Sequence, residues 1–179
     1  MADKSYDNLQ KVIEGCIQKD DKARELLYKE YFGYAMSVAL LYSSNRNDAI
    51  EIVNDSFMKV FSQIKRYNLS HPFTPWLRKI VINTAVDSFR RNQKRGVFSR
   101  ENPPVLCDTS PGPLSNLNTK DIVVLLNCLP HIHKTIFCLY EIEGYSHQEI
   151  SQKLKIPEST SRTYLTRAKH KLRELYNYG

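Results

Sequence analysis

Apolar residues recur at spacings of three and four along nearly the whole chain. They fail to do so in one long stretch, "NQKRGVFSRENPPVLCDTSPGPLSN", residues 92–116. No other feature restricts the fold so strongly. The three-and-four period lays apolar side chains along one helix face, whereas a half-buried strand needs alternation, and no convincing alternating run occurs. The interruption holds Pro103, Pro104, Pro111 and Pro113, which remove backbone donors and punctuate structure. A structureless stretch of that length is unusual inside one compact domain. The chain therefore reads as all-α: two small helical domains, 1–93 and 119–179, joined by a flexible proline-containing linker at 94–118.

In the first domain Leu9, Val12, Ile13, Cys16 and Ile17 keep helix spacing, with Ser5 or Asp7 available as a cap. Further helices are expected over 20–42, 48–66 and 74–93, and in the second domain over 119–128, 131–143, 146–154 and 158–176. Pro130 suits the first position of its helix and Gly144 a C-terminal stop. Ser146 and Glu149 form an S-x-x-E capping box, which marks where the next helix begins.

The last of these helices is the most informative. Ser161, Leu165, Ala168 and Leu172 share one face and are expected to pack inward. Arg162, Thr163, Thr166, Arg167, His170 and Arg173 fall opposite. Guanidinium forks and hydroxyls are groups that read major-groove edges and hold phosphates. With Ile150, Leu154 and Ile156 closing the preceding helix and turn, "GYSHQEISQKLKIPESTSRTYLTRAKHKL" at 144–172 has helix-turn-helix geometry.

Charge agrees. The formal net charge is +7, and it is concentrated. From Lys153 to Arg173 seven basic residues face one acid, Glu158, and from Arg78 to Arg95 six face Asp87 alone. Two basic patches suit a long polyanion, although solvated helix faces look the same in sequence.

A second helix faces the other way. Over 48–66, Ile50, Val53, Phe57, Val60, Phe61 and Ile64 form an apolar stripe, with Asp48, Glu51, Asp55, Lys59 and Ser62 opposite and Asn54 at the flank. Glu51 and Asp55 repel slightly at i, i+4. A solvated face and a docking face for a basic partner both fit. The next helix is apolar around most of its circumference. Just before it, "KRYNLSHPFTPW" sets Tyr67, Phe73 and Trp76 beside cations. That combination holds unstacked bases, though each ring alone also suits a core.

"DAIEIVNDSFMKVF", "WLRKIVINTAVDSFRR" and "LPHIHKTIFCLYEIEGYSHQEISQKLKIPESTSRTYLTRAKHKL" occur in order and are split by the linker. Together they resemble the RNA polymerase sigma factors of the extracytoplasmic-function (ECF) group of the sigma-70 family, from about Leu9 to Leu175. The resemblance implies region 2-like and region 4-like domains that bind core RNA polymerase and promoter DNA. It puts Asp48, Glu51, Asn54 and Asp55 against the clamp helices of the beta-prime subunit. It puts Asn83, Tyr67, Phe73, Trp76, Arg90 and Arg91 at the minus-ten element, and Thr160, Arg162, Thr163, Thr166 and Arg167 at the minus-thirty-five element. An anti-sigma factor that masks these surfaces is implied as a further partner. Ile50 replaces the family's usual acid, Ile82 stands where many members have Arg, and Pro157 and Ser159 depart at the entry to the reading helix.

Other classes fit less well. A stand-alone helix-turn-helix regulator of the response-regulator type would carry a receiver of alternating strands and helices. Cys128, His131, His133 and Cys138 lack zinc-finger or ribbon spacing, so no metal or other cofactor is expected. There is no nucleophile motif, phosphate loop or usable carboxylate pair, so no enzyme is expected. With 41% hydrophobic residues but no apolar run near the roughly 18 a span needs, no membrane insertion is expected. The N-terminal "MADKSYDNLQ" lacks a secretion signal's features, which makes the cytoplasm the default. Cys16, Cys128 and Cys138 sit in apolar-periodic segments and read as reduced core residues.

Overall fold

A computed structural model describes residues 2–94 and 119–177, and every regular element among them is helical. The expected linker lies outside the described residues, apart from Lys94 at the end of its helix. The elements are α1 (Ala2–Ile17), α2 (Asp21–Leu40), α3 (Arg46–Gln63) with a 3-10 turn (Ile64–Arg66), α4 (Phe73–Lys94), α5 (Thr119–Asn127), α6 (His131–Phe137) with a π-helical turn (Cys138–Ile142), α7 (His147–Leu154) and α8 (Glu158–Asn177). They form two compact units, Met1–Ala39 with Asn45–Ala85, and Leu40–Ser44 with Val86–Gly179.

In the first unit α1 ends where Lys19 turns left-handed at φ 65°. The Lys19 and Asp20 N–H groups then return to the Cys16 and Gly15 carbonyls at 3.1 and 3.0 Å, a closure that satisfies the last carbonyls of a helix. Gly15 is required there, because a Cβ would stand 2.6 Å from the Ala23 Cβ of α2. The helix begins at Ala2, so Ser5 and Asp7 lie inside it and are not its caps. Asn45 caps α3, its Oδ1 accepting from the Asp48 N–H at 2.9 Å. The buried face of α3 is Ala49, Ile52, Val53, Ser56, Phe57 and Val60. It is rotated from the expected stripe, leaving Ile50 and Phe61 half-buried. Leu77, Ile80, Val81, Ile82 and Ala85 of α4 are buried, as its all-round apolar pattern requires.

The second unit is organised around a lysine. Lys134 of α6 is 2% exposed, and its ammonium donates to Leu40 O at 2.8 Å, Ser43 O at 2.9 Å and Asn127 Oδ1 at 2.6 Å. Its neighbours on the same face of α6 complete the pattern. His131 Nε2 lies 2.8 Å from Tyr42 O, which fixes that nitrogen as the donor, and the Cys138 thiol lies 3.5 Å from Leu41 O. Four successive carbonyls leaving α2 are thus met by three side chains spaced at i, i+3 and i+7. A helix C-terminus leaves carbonyls without intrahelical partners and carries partial negative charge, so a cation fits there. Tyr42 OH donates to Glu143 Oε1 at 3.1 Å, and Phe89 of α4 stacks on His131 at 5.2 Å.

Pro130 precedes α6 as its N-cap instead of opening its first turn. Gly144, at φ 73°, stops the π turn. Cys16 and Cys138 are buried free thiols. Cys128, expected as a third reduced core cysteine, is buried but disulfide-bonded, a pairing that isolated spacing does not reveal.

Burial pushes the Lys134 ammonium down to about 8, against roughly 10.4 in water. Between those pH values the unfolded chain keeps a proton that the folded unit has released, so stability rises with pH across that window. Lys134→Met should lower the unfolding free energy of the full chain at pH 7 by about 1–3 kcal/mol, because buried acceptors lose their donor. It should also remove this part of the rise between pH 8 and 10. Denaturant titrations at several pH values test both.

Candidate nucleic-acid and protein interfaces

The helix-turn-helix is built from local signals. Ser146 and Glu149 close a full capping box at the start of α7. Lys155 ends that helix left-handed at φ 57°, and Ile156 N–H reaches back to Ser151 O at 3.3 Å. Ile150, Leu154, Ser161, Leu165 and Ala168 are buried between α7 and α8. At the joint, His147 Nδ1 lies 3.0 Å from Ser161 Oγ, both side chains being buried. Burial, then the nearby Arg162 guanidinium, holds the His147 imidazole below its ordinary pKa. His133 is lowered too, by burial and then by Arg167, with its ring 4.7 Å from that of Tyr164.

Anchored this way, α8 exposes Arg162, Thr163, Thr166 and Arg167, with Thr160 half-buried at the edge. Arg162 Nη2 lies 2.5 Å from Glu158 Oε1, one turn back. The Thr163 and Thr166 hydroxyls donate to Ser159 O at 3.0 Å and Arg162 O at 3.1 Å. Their protons are engaged along the helix, so outward they present acceptor oxygens and methyl groups. The Arg167 guanidinium lies 5.9 Å from the Tyr164 ring centroid.

On α3, Glu51, Asn54 and Asp55 are exposed together, while Asp48 is half-buried in the first turn. Two neighbours escaped the sequence reading. Met58 stands 69% exposed on the same outward side, a position that helical spacing alone could have flagged. Tyr28 of α2 donates its hydroxyl to Asn54 Oδ1 at 3.0 Å, which only the tertiary fold brings about.

The aromatic group is real but unequal. Tyr67 and Trp76 are half-buried with centroids 5.1 Å apart. Phe73 lies 5.4 Å from Tyr67, 5.5 Å from Trp76 and 4.7 Å from Tyr31. It is only 2% exposed, so it supports the other rings from within and offers no face of its own. The Tyr67 hydroxyl donates to His71 O, which fixes that ring over the loop. Asn83 is half-buried two turns beyond Trp76 on α4. Arg90, half-buried and 3.6 Å from Asp87, and the exposed Arg91 follow on the same helix but belong to the second unit. Of the donors weighed for a metal, His131 and Cys138 serve the α2 carbonyls and His133 packs on Tyr164.

A basic helix-turn-helix, and a helical module with an outward acidic face, define a DNA-binding transcription protein. Comparison makes this specific. Residues 27–95 match Sigma-70 region 2 and residues 119–172 match Sigma-70, region 4. The ECF RNA polymerase sigma-E factor of Haemophilus influenzae is 29% identical over 172 residues, 89% of this chain and 90% of that one. RNA polymerase sigma factor SigV of Bacillus subtilis is 30% identical over 131 residues, 73% and 77% of the two chains. The fold is shared with the sigma factor RpoE of Bartonella quintana, solved in complex with the anti-sigma factor NepR, at TM-score 0.50 and 20% identity, covering 86% of this chain and 96% of that one. The chain belongs to the ECF group of the sigma-70 family. It is an RNA polymerase sigma factor that directs transcription initiation, and region 2 occupies the place where a receiver domain would stand in a stand-alone regulator.

A neutral histidine that must charge on unfolding weakens a fold as acid is added. Thermal unfolding should therefore shift to lower temperature as pH falls below about 6.5, the ordinary histidine value. His147→Gln should reduce the shift, leaving the part carried by His133. Melting curves from pH 5 to 8 on both proteins measure it.

Proposed function

We propose that residues 1–93 form the polymerase-binding and minus-ten module, 94–118 the linker and 119–179 the minus-thirty-five module. Glu51, Asn54 and Asp55, with Asp48 at their edge, meet the clamp helices of the polymerase beta-prime subunit. Tyr28 holds Asn54 in place, and Met58 supplies an apolar anchor among the acids. Arg162 and Arg167, with the methyl and acceptor groups of Thr160, Thr163 and Thr166, read the upstream element. Tyr67, Trp76 and Asn83 hold bases of the melted minus-ten strand over the buried Phe73, and Arg90 and Arg91 hold its backbone. The protein acts in the cytoplasm without catalysis of its own. An anti-sigma factor, as NepR is for the Bartonella quintana protein, is a further partner.

The observation that carries this reading is the exposed face of α8, which sets Arg162 and Arg167 outward on a buried Ser161–His147 joint. Three measurements test it. Replacing Glu51 and Asp55 together with Lys should abolish co-purification with bacterial core polymerase and leave the melting temperature within a few degrees, since both side chains are exposed. Arg162→Ala should weaken promoter binding by roughly 1–3 kcal/mol on sites with the matching guanine and much less on others. Holoenzyme binding should weaken steeply between low and physiological salt as phosphate counterions are released. Transcription from core polymerase with and without the chain is the direct assay, and absence of start-site-specific RNA would reject the reading.

A further inference from the structure

We infer that Glu158 reads a base, selecting the amino group of a cytosine in the base pair next to the guanine addressed by Arg162. This rests on the reading of α8 as the upstream-element reader. Glu158 is the first residue of that helix, and reading helices address base edges with their N-terminal residues. Its Oε1 lies 2.5 Å from Arg162 Nη2, with the arginine side chain 63% and the glutamate 43% exposed. The two therefore stand outward as one unit, donors beside an acceptor.

Charge sets this position apart. Glu158 is the one acid between Lys153 and Arg173, and it sits where a helix N-terminus would otherwise attract a phosphate. A carboxylate there weakens nonspecific grip, and what it gains in exchange is selectivity. In the major groove a G·C pair presents the N7 and O6 acceptors of guanine and the N4 donor of cytosine. The arginine fork complements the first, and a carboxylate oxygen complements the second. Facing a thymine, the carboxylate would meet the O4 acceptor and be repelled. The Thr163 and Thr166 hydroxyl protons are held by backbone carbonyls, so neither competes for the guanine acceptors. The ion pair also biases Arg162 toward this rotamer before DNA arrives, which lowers the ordering cost of binding.

The alternative is a helix-stabilising pair with no part in sequence choice. Selection from a promoter library randomised across the upstream element, using holoenzyme reconstituted with bacterial core polymerase, separates the two. Wild type should enrich a guanine with a cytosine in an adjacent pair. Glu158→Gln and Glu158→Ala should each lose the cytosine preference by roughly tenfold, keep the guanine preference, and bind unselected DNA more tightly. Unchanged preferences in both variants would overturn the inference and leave Glu158 a helix stabiliser. Loss of the guanine preference along with the cytosine would also overturn it, making Glu158 a positioning residue for Arg162. Should Arg162→Ala in turn keep the wild-type preferences, the reading of α8 itself would fall.

Discussion

The second unit depends on a side-chain cap supplied across a long stretch of sequence. Helix α2 ends at Leu40, and the carbonyls from Leu40 to Ser43 would be left dry without donors. Lys134, His131 and Cys138 provide them from one face of α6. Among the described residues no carboxylate pairs with the lysine. Its charge is held by carbonyl dipoles, the Asn127 amide oxygen and the field at the end of α2. Helix α6 packs against α8, so the cap that orients α6 also sets the platform carrying Arg162 and Arg167. A defect at Lys134 would reach the DNA-reading face through packing alone.

The two exposed faces have opposite chemistry. On α3 the acids Glu51 and Asp55 share the outward face with an exposed methionine; on α8 the cations dominate and one glutamate is tied to an arginine. An apolar side chain beside acids suits a protein partner, whereas a basic face with engaged hydroxyls suits a polyanion. Held by one polymerase, the two DNA contacts share a high effective concentration, so modest individual grips add to specific binding. Extruding a base from a duplex costs a few kcal/mol, and stacking it on an aromatic ring returns roughly 1–3. The capture proposed for Tyr67 and Trp76 is on that scale and calls for no nucleotide-driven motor.

What was legible in the sequence was whatever depends on near neighbours. The helix spans, the Ser146–Glu149 box, the Gly144 stop and the inward and outward faces of α8 all follow from spacings under five residues. The Lys134 cap was not legible, since its carbonyl partners lie more than ninety residues away and it reads as an ordinary surface lysine in "HIHKTIF". The Tyr28–Asn54 bond is hidden for the same reason. Composition also could not sort the rings of "KRYNLSHPFTPW", because burial of Phe73 beneath Tyr67 and Trp76 is decided by α2, through Tyr31.

The threonines of α8 show how local geometry redistributes a recognition task. In sequence Thr163 and Thr166 are donors and acceptors alike. In the helix each hydroxyl finds the carbonyl four residues back, the usual competition between short polar side chains and the backbone. Their remaining outward groups, a methyl and an acceptor oxygen, suit a thymine methyl or a base amino group but cannot address guanine. On the proposed reading of α8, guanine falls to Arg162 or Arg167, the latter with its guanidinium over the Tyr164 ring. Arg162 is the fork nearest the start of the helix, and if its tie to Glu158 acts as inferred, the first turn of α8 is where sequence choice is concentrated.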